Sequence, residues 1–336
     1  MRVLAGGRSL TIEGNTLDPM LYLLRIGQRV MGLKGLAVGD LAQTREYVRV
    51  TAGSIAGAEI GVEVDDLTIP GPAGPIRARH YRPGDWEGAP LLVYFHGGGF
   101  VIADLDVYDP VCKLIARDAG VHVLSVDYRL APEHKAPAAL DDAYSAYRWA
   151  VEHAAGLGAD PNLVAVGGDS AGGNLAAGVC LAARDDDASM PSLQLLIYPL
   201  VDATANTRSE TLFGDGFFLT KSDMNWFIDR YLSGSGLEPT DPRVSPRFAD
   251  DLSGLPLALV VTAGFDPLRD QGDDYAAALR AAGVPVDHRR LSSMTHMFVN
   301  YAALGGGCAR AMAEVNSALR AHLVHGERTR ARPPVL

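Results

Sequence analysis

The sequence has few of the residues that build disulfides and metal sites. It contains three cysteines among 336 residues, and Cys112, Cys180 and Cys308 lie far apart within apolar or helical patterns. An odd number of separated cysteines predicts free, buried thiols and a reducing compartment. There is no H-E-x-x-H motif and no close pair of cysteines, and the nine histidines are scattered. We therefore expect no metal.

The sequence also lacks a nucleotide-binding glycine motif, a surplus of positive charge and long apolar segments. No G-x-G-x-x-G lies at a strand-to-helix turn, so no cofactor is expected. Thirty Lys and Arg against 40 Asp and Glu give a net charge of −10, and basic residues cluster only at Arg328, Arg330 and Arg332, which argues against nucleic acid as a partner. Nowhere do 18 apolar residues run together, and the first residues lack an apolar signal segment. We predict a soluble, cytoplasmic protein without stable membrane insertion.

Apolar runs alternate with helical patterns along most of the chain. With 48% hydrophobic residues, the chain can bury a sizeable core. Continuous runs such as Leu91–Phe95 and Leu257–Thr262 predict strands buried on both faces of a parallel or mixed sheet, and alternation over Ala58–Pro83 predicts a β-hairpin at a sheet edge. We predict one α/β catalytic domain over residues 55–325 and a disordered tail over 326–336.

Two segments depart from this rhythm. Residues 1–54 carry apolar residues at helical spacing, and two short amphipathic helices are predicted over Leu17–Leu41. Residues from about 202 to 240 contain a loop followed by an aromatic-rich helix. We assign both segments to a cap over the sheet.

The most informative stretch is Asn162–Ala177. Its apolar run ends at glycines around Ser170 and continues as a small-residue helix, with Gly168 and Gly172 at positions minus two and plus two. This is the G-x-S-x-G pattern of a nucleophile elbow, which exposes the serine hydroxyl on a strand-to-helix turn. The helix N-terminus favours an anion there. The neighbouring Asp169 is expected to hydrogen-bond the backbone of the elbow.

Two other strand ends offer partners for this serine. Asp266 follows the strand Leu257–Thr262, and His296 follows the strand Val286–Leu291. The chain order serine, aspartate, histidine is that of the α/β-hydrolases, and open α/β sheets place their sites at the carboxyl ends of strands. An imidazole can take the serine proton while a carboxylate holds its tautomer. The competing side chains lie within predicted helices or strands, or at a helix end: Asp270, at an N-cap position, Asp273, Asp274, His288, His322 and His325.

A glycine-rich loop supplies the fourth part of such a site. His96, Gly97, Gly98 and Gly99 follow the strand Leu91–Phe95. Consecutive glycines leave their N–H groups uncovered, as an oxyanion hole requires. His96 is expected to anchor this loop.

Five motifs in order resemble the hormone-sensitive lipase family of α/β-hydrolases, the bacterial type IV esterases. They are H-G-G-G-F, Y-R-L-A-P-E, G-D-S-A-G-G, D-P-L-R-D and a late histidine loop, over roughly Val64 to Leu323. The resemblance implies an α/β-hydrolase fold, with a mostly parallel eight-stranded sheet flanked by helices under a helical cap. It also implies hydrolysis of short- to medium-chain carboxylic esters. The implied site residues are Ser170 as nucleophile, Asp266 as acid, His296 as base, and Gly98, Gly99 and Ala171 as oxyanion donors.

One position departs from the family pattern. The base loop reads His296-Met297-Phe298, whereas family members commonly have glycine after the histidine. This leaves open the loop's backbone and its contacts with an acyl group. In the cap, four bulky aromatic residues are predicted to close an acyl pocket, the alternative being that they only pack the cap against the sheet: Phe217, Phe218, Trp226 and Phe227.

Two other functions use the same residues. An amidase or deacetylase would share the machinery, and a non-catalytic small-molecule receptor would share the fold, although the presence of His296 argues against a receptor. The expected partner is a small ester. The resemblance also suggests a homodimer paired through the edge strand Val286–Leu291, although its polar residues are of the kind that prevent such pairing.

Overall fold

The structure, a computed structural model, describes residues 9–37, 39–55, 57, 59–84 and 87–325. The predicted tail and the first eight residues of the predicted cap lie outside the described residues. The strands are β1 (Thr11–Ile12), β2 (Asn15–Thr16), β3 (Glu63–Ile69), β4 (Ile76–Arg82), β5 (Ala89–Phe95), β6 (His122–Val126), β7 (Ala159–Asp169), β8 (Gln194–Ile197), β9 (Ala258–Phe265) and β10 (Val286–Thr295). The α-helices are α1 (Pro19–Val30), α2 (Leu41–Ile55), α3 (Leu105–Ile115), α4 (Ala138–His153), α5 (Ala171–Asp185), α6 (Arg208–Phe213), α7 (Lys221–Leu232), α8 (Arg269–Ala281) and α9 (Gly306–Arg320). Single-turn 3₁₀ or π segments span Ala116–Gly120, Ala155–Leu157, Pro246–Phe248, Ala302–Leu304 and Ala321–His325.

Eight of the strands form one sheet in the order β10-β9-β8-β7-β5-β6-β4-β3. Strands β5 to β10 run parallel to one another, whereas β4 runs antiparallel to both β6 and β3. The predicted hairpin is therefore present at one edge, and β10 forms the other edge. The predicted fold class is confirmed.

Helices cover both faces of this sheet. Strands β5, β6 and β9 are buried along their whole length, as expected for strands under helices on both sides. One apolar cluster includes side chains of α4, α5 and α8, and a second includes side chains of α1, α3 and α9. Because parallel strands point the same way, the carboxyl ends of β5, β7, β9 and β10 meet at one edge of the sheet.

The two segments outside the sheet differ in detail from the prediction. Leu17–Leu41 contains one helix, α1, and the next helix begins at Leu41. Glycines explain the shortfall, because Gly32 and Gly39 have φ of +72° and +67°, which ends helical structure. In the second segment a six-residue helix, α6, precedes the predicted one. So short a helix leaves almost no periodic signal in the sequence.

The remaining global predictions concern thiols and membranes. Cys112, Cys180 and Cys308 are free and buried, as predicted. No helix among the described residues has both the length and the apolar character needed to cross a bilayer.

Candidate active site

Ser170 stands on the turn between β7 and α5. Its φ of +56° and ψ of −117° form a conformation that costs energy for any residue with a side chain. Two glycines allow the tight approach around it. A Cβ on Gly172 would overlap the carbonyl oxygen of Phe95, and a Cβ on Gly168 would overlap the same oxygen and the backbone of Gly172. The predicted elbow is therefore present, and it holds the serine hydroxyl at the carboxyl edge of the sheet.

Three strand ends bring a serine, a histidine and an aspartate into one chain of hydrogen bonds. The Ser170 Oγ lies 3.0 Å from Nε2 of His296. Nδ1 of His296 lies 2.8 Å from Oδ2 of Asp266. The other carboxylate oxygen accepts the N–H of Leu268 at 2.8 Å. Asp266 is fully buried and His296 is 3% exposed. This geometry lets imidazole take the hydroxyl proton while a fixed, desolvated carboxylate stabilises the imidazolium.

The glycine loop after β5 lies beside the serine. Gly98 and Gly99 have φ of +120° and +60°, in the region that favours glycine. A side chain on Gly98 would collide with the carbonyl of Ile102, and one on Gly99 would collide with the ring of Phe227. Both glycines line the same cavity as Ser170. Ala171 is the first residue of α5, where helix N–H groups lack an intrahelical acceptor.

Asp169 ties this loop to the elbow. It is buried, and Oδ1 accepts the N–H of Gly97 at 3.0 Å and the hydroxyl of Tyr94 at 2.9 Å. Oδ2 accepts the hydroxyls of Tyr108 at 2.8 Å and Tyr198 at 3.3 Å. The sequence predicted a hydrogen bond from Asp169 to the backbone of the elbow, and this prediction was wrong. Asp169 instead accepts a hydrogen bond from the backbone of the oxyanion loop. Burial raises the pKa of its carboxyl, and the hydrogen bonds from Tyr108 and Tyr94 oppose this rise.

His96 sits behind the loop and does not face the cavity. Its Nδ1 lies 2.7 Å from the Gly97 carbonyl, and its own carbonyl accepts the hydroxyl of Tyr128 at 2.7 Å. The imidazole stacks on the Tyr128 ring with centroids 4.4 Å apart. Burial lowers the pKa of His96 to about 4, so the ring is neutral at pH 7 and donates from Nδ1 to the Gly97 carbonyl. These contacts suit the anchoring role predicted for it.

The serine opens into a cavity that encloses about 730 Å³ of empty space when the open solvent at its entrance is included. Most of its lining is aliphatic or aromatic, and both predicted cap segments contribute to it: Leu36 and Val48 from the first, and Leu219, Met224, Phe227 and Ile228 from the second. The few polar residues of the lining include Ser170 and His296. A small apolar molecule with one reactive polar group matches this distribution.

The structure separates the four cap aromatics predicted to close this cavity. Phe227 lines it. Phe217 instead stacks on Phe265, Phe218 lies against Tyr301, and Trp226 lies beneath the guanidinium of Arg230. The prediction was wrong for these three: Phe217 and Phe218 pack the second segment against its surroundings, and Trp226 contacts a residue of its own helix. In α7 the helical turn points Phe227 at the site and the adjacent Trp226 away from it.

Met297 is part of the cavity wall. Its φ is +67°, the left-handed conformation that glycine adopts freely. The base loop therefore keeps the backbone that a glycine would have, with a methionine side chain added to the wall of the cavity. The strained backbone leaves the hydrogen bonds of His296 intact.

The competing acids, His288 and His322 are engaged elsewhere, and the side chain of His325 lies outside the described part of the chain. Asp270 accepts the N–H of Ser209 and is the second residue of α8, two positions after the N-cap residue Leu268. Asp273 bonds His288, Asp287 bonds His322, and Asp274 lies 4.0 Å from Arg247. In the part of the chain that the structure describes, no group of three or more His, Cys, Asp or Glu side chains could hold a metal ion.

Several residues around the site were not found from the sequence. Leu36 and Val48 line the cavity, and Tyr94, Tyr108 and Tyr198 surround Asp169. Only Tyr198 carried a usable signal, because it follows directly on β8, at the edge of the sheet where the other site residues lie.

Comparison with known proteins agrees with this geometry. A family model described as the alpha/beta hydrolase fold matches residues 92–300. The carboxylic ester hydrolase LipN of Mycobacterium tuberculosis is 56% identical over 96% of this chain and 87% of its own length. The ethyl acetate hydrolase of Pseudomonas putida is 39% identical over 90% of this chain and 97% of its own. A solved esterase of Pyrobaculum calidifontis superposes with a TM-score of 0.83 at 40% identity, covering 91% of this chain and 98% of the esterase.

Sequence motifs, sheet topology and similarity to known proteins therefore agree. The eight-stranded sheet has the predicted topology, and the serine, histidine and aspartate lie at three strand ends in hydrogen-bond contact. The chain belongs to the hormone-sensitive lipase family of the α/β-hydrolases, the bacterial type IV esterases, and is a serine carboxylesterase.

Proposed function

We propose that the chain hydrolyses short- to medium-chain carboxylic esters through an acyl-enzyme on Ser170. The observation that carries this proposal is the continuous hydrogen-bonded chain from Ser170 through His296 to the buried Asp266, opening into an apolar cavity. Each group has a defined hydrogen-bond partner, so the hydroxyl proton of Ser170 passes to Nε2 of His296.

The reaction follows from the positions of these groups. Ser170 Oγ attacks the ester carbonyl while Nε2 of His296 takes its proton. The oxygen of the tetrahedral intermediate becomes negative, and the N–H groups of Gly98, Gly99 and Ala171 are the donors proposed to stabilise it. The carbon–oxygen bond to the alcohol then breaks, and the alcohol leaves with the proton from His296. Water attacks the acyl-enzyme by the same steps and releases the acid.

The cavity supports a limited acyl length. Its aliphatic and aromatic lining can bury several methylenes, each worth about 0.8 kcal/mol, before Phe227, Leu219 and Met297 obstruct further extension. We propose a preference for C4 to C8 acyl chains. A specificity constant that keeps rising through C12 and C16 esters would instead indicate a true lipase.

The division into domains belongs to the same proposal. The catalytic domain comprises residues 55–325, and the cap comprises 1–54 with about 202–240. Leu36 and Val48 from one cap segment and Met224 and Phe227 from the other roof the cavity, which supports this division. The cytoplasmic location stays a prediction.

The central test is Ser170→Ala on a panel of p-nitrophenyl esters and anilides. Turnover should fall on the order of 10⁴- to 10⁶-fold with the fold unchanged, because triad members act as a unit. Ser292→Ala, which changes an exposed serine on β10, is the matched control and should leave turnover unchanged. A folded Ser170→Ala protein that keeps more than about a tenth of the activity would exclude Ser170 as the nucleophile. Comparable rates on the anilides would favour the amidase alternative.

A further inference from the structure

The two segments that roof the cavity meet at one buried carboxylate. Asp223 lies in the first turn of α7 and is 3% exposed. Its Oδ1 accepts the N–H of Leu36 at 3.1 Å and the N–H of Ala37 at 2.9 Å. Its Oδ2 accepts the N–H of Thr220 at 2.9 Å and the hydroxyl of Thr220 at 2.7 Å. One oxygen therefore holds the N-terminal segment and the other holds the start of α7.

Only a carboxylate satisfies all four donors. Each carboxylate oxygen accepts two hydrogen bonds, whereas an amide has a single accepting oxygen and places an NH₂ group where the second would be. The N-terminus of α7 also favours a negative charge at this position. An asparagine would keep its oxygen on the N–H groups of Leu36 and Ala37 and turn its NH₂ group to Thr220, whose hydroxyl can accept, so it would weaken the cap of α7 but keep the contact between the segments.

The chain is adapted to this carboxylate from the other side as well. Gly35 precedes Leu36, and a Cβ at this position would overlap the carboxylate oxygens of Asp223. The φ of Gly35 lies outside the left-handed region, so an alanine there strains the contact with Asp223 and not the backbone. Glycine is required here by the approach of Asp223.

The residues on either side of this contact form the cavity wall. Leu36 lines the cavity directly next to the bond that holds its N–H. Met224 follows Asp223, and Phe227 lies one helical turn later with its ring against the Cα of Gly99 in the oxyanion loop. A shift of α7 relative to Leu36 therefore changes the roof of the cavity and the packing on Gly99 together.

We infer that Asp223 is a positioning residue that sets acyl-chain specificity by locking the two cap segments to each other over Ser170. The inference rests on the proposed acyl cavity. It predicts an effect that grows with acyl length, because a two-carbon acyl group reaches less of the roof than a six-carbon group does. Displacements of about 1 Å can cost about 100-fold in rate when a substrate depends on the displaced contacts.

The test compares kcat and KM for p-nitrophenyl acetate, butyrate and hexanoate in Asp223→Ala, which removes both carboxylate oxygens, in Gly35→Ala and in the double variant. Each single variant should lower kcat/KM at least about tenfold for hexanoate, mainly through KM, and less than about threefold for acetate. Because both changes break the same contact, the double variant should lose no more than the worse single variant. Asp229→Asn, an exposed carboxylate on the same helix, should leave all three substrates unchanged.

Three results would overturn the inference. These are an equal loss on acetate and hexanoate, no loss in Gly35→Ala, or additive losses in the double variant. Gly35→Ala keeps the Asp223 side chain, so it remains informative if Asp223→Ala fails to fold. Wild-type activity on acetate, abolished by Ser170→Ala, separates a failure of this inference from a failure of the proposed function.

Discussion

Replacement of Asp266 by asparagine should disable the catalytic histidine through its tautomer. Oδ2 of Asp266 faces Nδ1 of His296 at 2.8 Å, and Oδ1 accepts the N–H of Leu268 at 2.8 Å. Asparagine offers one carbonyl oxygen and one NH₂ group. The backbone N–H can only donate, so it selects the carbonyl oxygen, and the NH₂ group then faces Nδ1. Nδ1 must accept, and Nε2 carries the proton towards Ser170.

This orientation removes the base. With a proton on Nε2, His296 cannot take the hydroxyl proton of Ser170, and kcat should fall on the order of 10⁴-fold, as in serine proteases with the same change. This corresponds to about 5.5 kcal/mol of transition-state stabilisation. The opposite orientation would restore the correct tautomer but set the NH₂ group against the N–H of Leu268, at a cost of about 1–3 kcal/mol for the buried, unpaired donors. Its neutral carbonyl would also stabilise the imidazolium far less than the carboxylate does, and the two losses add. The inactive arrangement is therefore the populated one.

The assay is steady-state hydrolysis of p-nitrophenyl butyrate, with thermal unfolding as a check of the fold. Asp270→Asn is the matched control, because Asp270 lies four residues away and bonds Ser209 rather than a histidine. It should retain kcat within a few-fold. The reasoning is refuted if folded Asp266→Asn keeps more than about a tenth of the wild-type kcat, or if Asp270→Asn is the more damaging change.

Three further outcomes are expected. Met297→Gly should lengthen the preferred acyl chain by two to four carbons, since each newly buried methylene contributes about 0.8 kcal/mol, or about fourfold in kcat/KM. An unchanged chain-length profile would contradict the role of Met297 in the cavity wall. Burial, reinforced by His122, lowers the pKa of His80 from 6.5 to about 4; the unfolded chain therefore binds more protons between these values. The unfolding free energy should thus fall by up to about 3 kcal/mol as the pH drops from 6.5 to 4, and urea titrations should show a smaller fall in His80→Gln. Sedimentation equilibrium at micromolar concentration should give twice the 35.6 kDa chain mass if β10 pairs with β10 of a second subunit. Arg290→Pro removes an N–H that points away from β9, towards that second subunit, and should restore the single mass. A wild-type mass of 35.6 kDa rejects the dimer.

Much of the site could be predicted from short stretches of the sequence alone. The apolar run, the two glycines and Ser170 lie within a few residues, so the elbow has a local signature that tertiary contacts do not alter. The buried strands were found for a similar reason, since a strand under two helical layers needs an unbroken apolar run. Asp266 and His296 followed from a general rule, the convergence of parallel strand ends, once those strands had been placed.

Tertiary structure alone decided which side chains face the cavity. The four cap aromatics are chemically alike, yet only Phe227 among them lines the site; the others are Phe217, Phe218 and Trp226. The direction of each ring depends on its position around the helix and on the packing of two distant segments. Asp169 was expected to bond the elbow that carries it. The sheet instead brings Gly97 and three tyrosines from separate parts of the chain around its carboxylate.

The contact at Asp223 shows most clearly what the sequence alone does not determine. Thr220 and Asp223 have the spacing of a helix capping box, so the sequence by itself accounts for one carboxylate oxygen. The partners of the other oxygen, Leu36 and Ala37, are about 187 residues away along the chain. No periodicity or local motif links groups at that separation, because their approach depends on where the whole sheet places the two cap segments.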